Sequence, residues 1–194
     1  MHSTIKISLS LTGAGLEYNA LAELQRFIEE RGEYNTVPHR ITHATRKNSH
    51  VRKLRELNLR LKSLTGAQKS LLVEGDTTSR KLIAFLSVLK SYRIVSRFIE
   101  EEVCTAFRQL PHTISYRDFD SFIFRLEQEF PDLSGKSEAT FKKIRSRVFG
   151  MMVEIGMLDS SRTKTLQRPF VPQIVKKVIT EDTDSHINWF LHEK

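Results

Sequence analysis

Apolar residues recur along most of this chain at intervals of three and four, the spacing that lays one face of an α-helix on a core. In "LEYNALAELQRFIEERG" the positions Leu16, Ala20, Leu24, Phe27 and Ile28 keep that interval, and Gly32 stands where a helix stops. In "VRKLRELNLRLKSLTG" a stripe of Leu54, Leu57, Leu61 and Leu64 faces away from Arg52, Arg55 and Lys62, with Thr65 and Gly66 as the end. "AQKSLLVEGD" and "TTSRKLIAFLSVLKSYRIVSRFIEEEVCTAFRQL" predict further helices. The longer of these is capped by Thr77, Thr78 or Ser79, breaks near Ser91 to Arg93, and is apolar enough to be largely buried. Ahead of them "IKISLSL" alternates Ile5, Ile7, Leu9 and Leu11 with polar residues, as a short strand or an extended arm does, before Gly13 and Gly15 break it. The first half therefore predicts an all-helical bundle.

After Pro111 the pattern changes. "HTISY" is short and β-prone and predicts a single strand. "DFDSFIFRLEQEF" sets Phe119, Phe122, Ile123, Leu126 and Phe130 on one face, with Asp118 as N-cap and Pro131 as the stop. A second helix, capped by Ser137, is expected from about Glu138 to Met157. "LDSSRTKTLQRPFV" then predicts a hairpin with a polar turn at Asp159 to Arg162 and a return through Thr163, Thr165 and Leu166. Helix, strand, helix, helix, hairpin is the order of a winged helix, although "PDLSGKS" is longer than the turn of a compact helix-turn-helix. The expected class is mainly α: a helical bundle over 1–95, a winged-helix-like domain with a small β-hairpin over 96–172, and an extension over 173–194.

Charge adds a partner to this picture. Lys and Arg number 31 against 23 Asp and Glu, a net +8. With a pI near 9.7, an anionic partner is the first expectation. Projected at 100° per residue, the helix after Ser137 separates into two faces. Phe141, Ile144, Val148, Met151, Met152 and Ile155 fall in a sector roughly 100° wide, while Lys142, Lys143, Ser146, Arg147 and Gly150 lie opposite. Arg and Lys donate to guanine edges and phosphates, Ser146 to either, and Gly150 lets a backbone approach closely. Lys136 sits at the positive end of the same helix, and Arg162 and Lys164 lie in the expected wing. These are the candidate DNA-binding residues. A secondary basic patch runs through Arg46, Lys47, Arg52, Arg55 and Lys62, in a segment that also holds Arg40, Lys53 and Arg60 against Glu56 alone.

Catalytic and cofactor signals are poor, so neither an enzyme nor a bound cofactor is expected. Asp118, Asp120, Glu127, Glu129 and Asp132 are read as capping and solvated residues. His39 and His43 are spaced to share a helical face near His50, but no cysteine stands by them, and no metal site is expected. "TGAGLEYN" lacks the remainder of a phosphate-binding loop. Cys104 has apolar neighbours and reads as a buried thiol. No stretch reaches the roughly 18 to 20 apolar residues of a membrane span, so the chain is expected to be soluble and cytoplasmic.

Three stretches together resemble the BrxA family of bacterial BREX phage-defence systems: "ISLSLTGAGLEYNALAEL", "LIAFLSVLKSYRIVSRFIEEEV", and "SEATFKKIRSRVFGMMVEIGMLDSS" followed by "RPFVP". The resemblance implies a small, non-enzymatic helical protein, encoded beside a methyltransferase and large ATPase-type components. It further implies a bundle similar to NusB-type antitermination factors, a winged-helix-like portion, and DNA binding; with the basic face of the helix after Ser137, double-stranded DNA, held largely through phosphates, is the expected partner. Rival expectations are RNA binding through the bundle, or a protein-interaction subunit that docks on other BREX components through "HINWFLHEK".

Overall fold

The structure is a computed structural model that describes Leu9, Leu11 and residues 15–31, 37–160 and 162–192. The alternation at Ile5 and Ile7, the break at Gly13 and the stop at Gly32 lie outside the described residues. Among those described, the protein is mainly helical. In chain order the helices are α1 (Tyr18–Arg31), α2 (His39–Thr42), α3 (Lys47–Lys62), α4 (Gly66–Glu74), α5 (Thr77–Ser91), α6 (Arg93–Phe98), α7 (Cys104–Arg108), α8 (Tyr116–Glu129), α9 (Glu138–Glu154) and α10 (Gln173–Thr180). A π-helical turn, Ile99–Val103, joins α6 to α7.

Two compact units result. Gly13–Ser91 and Phe170–Ile187 form one, and Met1–Thr12, Tyr92–Pro169 and Asn188–Lys194 form the other. In the first, α1 packs on α3, α4 and α5, and α10 packs on α4 and α5. Thr65 opens α4 rather than simply ending α3. Its hydroxyl accepts from Gln68 N and its own N–H is accepted by Gln68 Oε1, a capping box that satisfies two end donors at once. The cap of α5 is neither Thr77, Thr78 nor Ser79 but Asp76, whose Oδ1 accepts from Ser79 N at 2.8 Å; a carboxylate is the better anion for the positive helix end.

Arg60 is the largest departure from the expected basic surface, because it is fully buried. Its Nε donates to Ser87 Oγ (3.1 Å), Nη1 to Gly15 O (3.1 Å), and Nη2 to Leu16 O (2.6 Å) and Ala84 O (3.1 Å). The guanidinium thus ties the segment ahead of α1 to α3 and α5. Cysteine burial also needs correction: Cys104 is partly exposed, with its thiol 3.5 Å from Asn188 O.

The second unit is built on aromatic contact. Phe98 meets Phe119 edge-on at 4.9 Å between centroids and lies 5.6 Å from Phe122 and 6.0 Å from Phe149. Ser115, not Asp118, caps α8. Asp118 is the third helical residue, and its Oδ2 accepts from Ser115 N while its own N–H goes to Ser115 Oγ. Ser137 caps α9 as expected, accepting from Thr140 N. The helix ends at Glu154, before Met157, because Gly156 turns into the left-handed region (φ 74°) and the N–H groups of Met157 and Leu158 both reach back to Met152 O.

Among the described residues, the expected strand and hairpin are reduced to two isolated antiparallel bridges, Thr113 with Thr165 and Leu158 with Leu166. Pro111 on one side and the α8 cap on the other leave the first segment no room for a longer ladder. No described helix is long and apolar enough to cross a membrane.

Candidate nucleic-acid interface

The two faces of α9 are distinct in the structure. Phe141, Ile144, Val148, Met151, Met152 and Ile155 are all buried, while Lys142, Lys143, Ser146, Arg147 and Gly150 are all exposed. Lys142 pairs with Glu138 one turn back at 2.6 Å, and this hydrogen bond holds the Glu138 carboxyl below its usual range. Lys143 and Arg147 form no ion pair among the described residues, so their charges face solvent uncompensated. A Cβ at Gly150 would meet nothing within 4 Å. Lys136 is exposed beside the Ser137 cap.

After α9 the chain turns at Asp159, Ser160 and residues 162–165, the described part of the 159–165 segment, and Asp159 organises it. Its carboxylate accepts from Ser160 N (2.6 Å), Thr165 N (3.0 Å) and the Thr163 hydroxyl, and the Thr163 bond is the main reason its pKa is lowered. Arg162 is exposed on this turn. Lys164 is half-buried, takes a left-handed backbone conformation (φ 55°), and directs its ammonium on to the Tyr116 ring at 3.8 Å. The second unit thus gathers Lys136, Lys142, Lys143, Ser146, Arg147, Arg162 and Lys164 on α9 and its flanking loops.

Residues that the sequence pattern left out complete the arrangement. Arg145 lies at the border of the two faces, where it pairs with Asp120 and stands 4.5 Å from the Tyr116 ring centroid. Phe149, about 60° outside the projected apolar sector, is buried as well. Both positions are explained by α9 packing on α8 and Tyr116 together, which widens its covered face. The i, i+4 spacing of Arg145 and Phe149 is the signal that the projection held.

In the other unit, Arg46, Lys47, Arg52, Arg55 and Lys62 are exposed and have no ion pair among the described residues. Lys53 is withdrawn from this patch by Glu17, at 2.9 Å. Glu56, the segment's lone carboxylate, is buried, with Oε1 lacking a hydrogen-bond partner among the described residues; burial pushes its pKa up to about 6 against the opposing pull of Arg60. His39 and His43 do not share a helical face, since α2 ends at Thr42 and His43 takes φ 50°. His39 stacks on buried His50 at 3.9 Å instead, and the His50 ring nitrogens lie 2.7 Å from Thr42 Oγ1 and 3.2 Å from Val37 O. No group of three or more His, Cys, Asp or Glu among the described residues is placed to hold a metal ion.

Comparisons with known proteins find similarity in family, in sequence and in fold. A family model described as BrxA matches residues 11–183. The BREX protein BrxA of Escherichia coli O9:H4 (strain HS) is 23% identical over 143 residues, 74% of this chain and 67% of that protein. The crystal structure of an uncharacterized protein from Magnetospirillum magneticum matches with a TM-score of 0.83 at 16% identity, covering 96% of this chain and 98% of the other, a likeness of fold. The family match begins ahead of α1 and ends beyond α10, and the chain therefore belongs to the BrxA family.

Proposed function

We propose that this chain is a non-catalytic, cytoplasmic accessory of a BREX-type phage-defence system that binds double-stranded DNA, mainly through phosphates. The N-terminal half of α9 enters the major groove and the 159–165 turn lies alongside as a wing. Family membership and the name of the E. coli relative support the defence role, with other BREX components as partners. One observation carries the DNA reading: α9 buries one face and exposes Lys143, Ser146, Arg147 and Gly150 on the other, with Lys143 and Arg147 free of ion pairs among the described residues. The order of α8, α9 and the Leu158 to Leu166 bridge supports the winged-helix interpretation. The NusB-like description of the bundle rests on family resemblance.

The test is charge reversal. A Lys142→Glu, Lys143→Glu, Arg147→Glu variant should bind duplex DNA at least tenfold more weakly at moderate salt, with an unchanged melting temperature. Normal DNA binding by this variant removes α9 from the interface.

Lys47, Arg52, Arg55 and Lys62 on α3, exposed and without an ion pair among the described residues, support RNA as a second reading. Under it, structured RNA should compete out duplex DNA, and reversing Arg52 and Arg55 should matter more than reversing Lys143 and Arg147. The protein-docking role for "HINWFLHEK" is weakened by burial of both Trp189 and Phe190.

A further inference from the structure

Tyr116, the first residue of α8, carries two cations on its ring. Lys164 Nζ lies 3.8 Å from the ring centroid and Arg145 Cζ lies 4.5 Å from it, so the like charges are no further apart than the sum of these distances. Asp120 pairs with Arg145 and offsets part of the repulsion. Phe149, one turn beyond Arg145 on α9, meets the same ring edge-on at 4.8 Å. Nearby, Lys164 holds a left-handed backbone conformation that a side-chain-bearing residue adopts only when its surroundings enforce it. The backbone enforcement is visible, since Ile114 N donates to Lys164 O and Leu166 N donates to His112 O. The aromatic face supplies the attraction that holds the ammonium itself.

We infer that Tyr116 is a positioning residue: its ring joins α9, through Arg145 and Phe149, to the 159–165 turn, through Lys164, and so fixes where Arg162 stands relative to the exposed face of α9. Its consequence for affinity rests on the DNA reading above, but its effect on the turn does not. The phenol oxygen has no role in this, so the ring alone should suffice.

Hydrogen exchange of the 159–166 segment in the full chain, read alongside duplex DNA titration, separates the two. Tyr116→Leu should exchange about five- to tenfold faster in 159–166, as expected for loss of ring–cation contacts, while 119–126 in α8 stays protected. Its dissociation constant for DNA should rise at least threefold. Tyr116→Phe should match the wild type in both measurements, a rescue that loss of general packing would not give. Lys164→Met, which keeps the side-chain stem, should loosen the turn in the same way and serves if Tyr116→Leu does not fold. Unchanged exchange in 159–166 overturns the inference; a loosened turn with unaltered DNA affinity supports the positioning of the turn and overturns its consequence for binding. A turn that loosens in a protein unable to bind DNA at all supports the positioning role and overturns the DNA reading.

Discussion

Glu56 is buried with one carboxylate oxygen unmatched, and burial raises its pKa from 4.5 to about 6. The folded state therefore holds the proton more tightly than the unfolded chain. Its stabilising contribution is complete below about pH 4.5 and is lost as pH rises through about 6, a span worth roughly 2 kcal/mol. Glu56→Gln should remove this dependence: the stability difference between variant and wild type, from urea melts, should change by about that amount between pH 4.5 and 7.5. A constant difference across the range contradicts the assignment. Arg60 makes the complementary case, since its donors satisfy the carbonyls of Gly15, Leu16 and Ala84. Arg60→Met keeps the stem but orphans those acceptors, and should cost about 2–4 kcal/mol in denaturant melts, with little recovered by Arg60→Lys, which lacks the planar fork. Neither burial was legible from the sequence. Glu56 and Arg60 sit in a strongly basic run, and their inward direction depends on where α1 and α5 pass, which the local pattern of α3 does not encode.

At the scale of the element, α9 was the most legible part of the chain. Its Ser137 cap and its two faces follow from spacing and side-chain chemistry alone. Local rules failed where two of them competed: Ser115 and Asp118 both suit a helix start, and the reciprocal capping box uses both. They failed again where packing partners multiply, as at Arg145 and Phe149. Gly150 offers an element-scale prediction. Glycine inside a helix costs about 0.5–1 kcal/mol relative to alanine, and a Cβ here meets open space. Gly150→Ala should raise stability by about that amount in thermal melts, yet weaken DNA binding, because the added methyl stands on the contacting face. A destabilised protein would contradict the open environment, and stabilisation with unaltered binding would place Gly150 away from the DNA.

At the scale of the molecule, composition and charge made an anion the expected partner, and periodicity predicted a mainly helical chain. Sequence pattern did not show that Phe170–Ile187 returns to the first unit, where Gln68 Nε2 donates to Val178 O and Lys90 pairs with Asp182 at 2.8 Å. Pairings across about a hundred residues leave no local periodic trace, whereas the faces of α9 do. Whether this BrxA-family protein holds duplex DNA largely by its phosphates, as proposed, is decided by measuring affinity against salt. For wild type, log K should fall with log salt at a slope near −5, as about five to six phosphate contacts require, and the slope should flatten by about 2 to 3 in the Lys142→Glu, Lys143→Glu, Arg147→Glu variant. A flat wild-type response, or the same slope in both proteins, would contradict it.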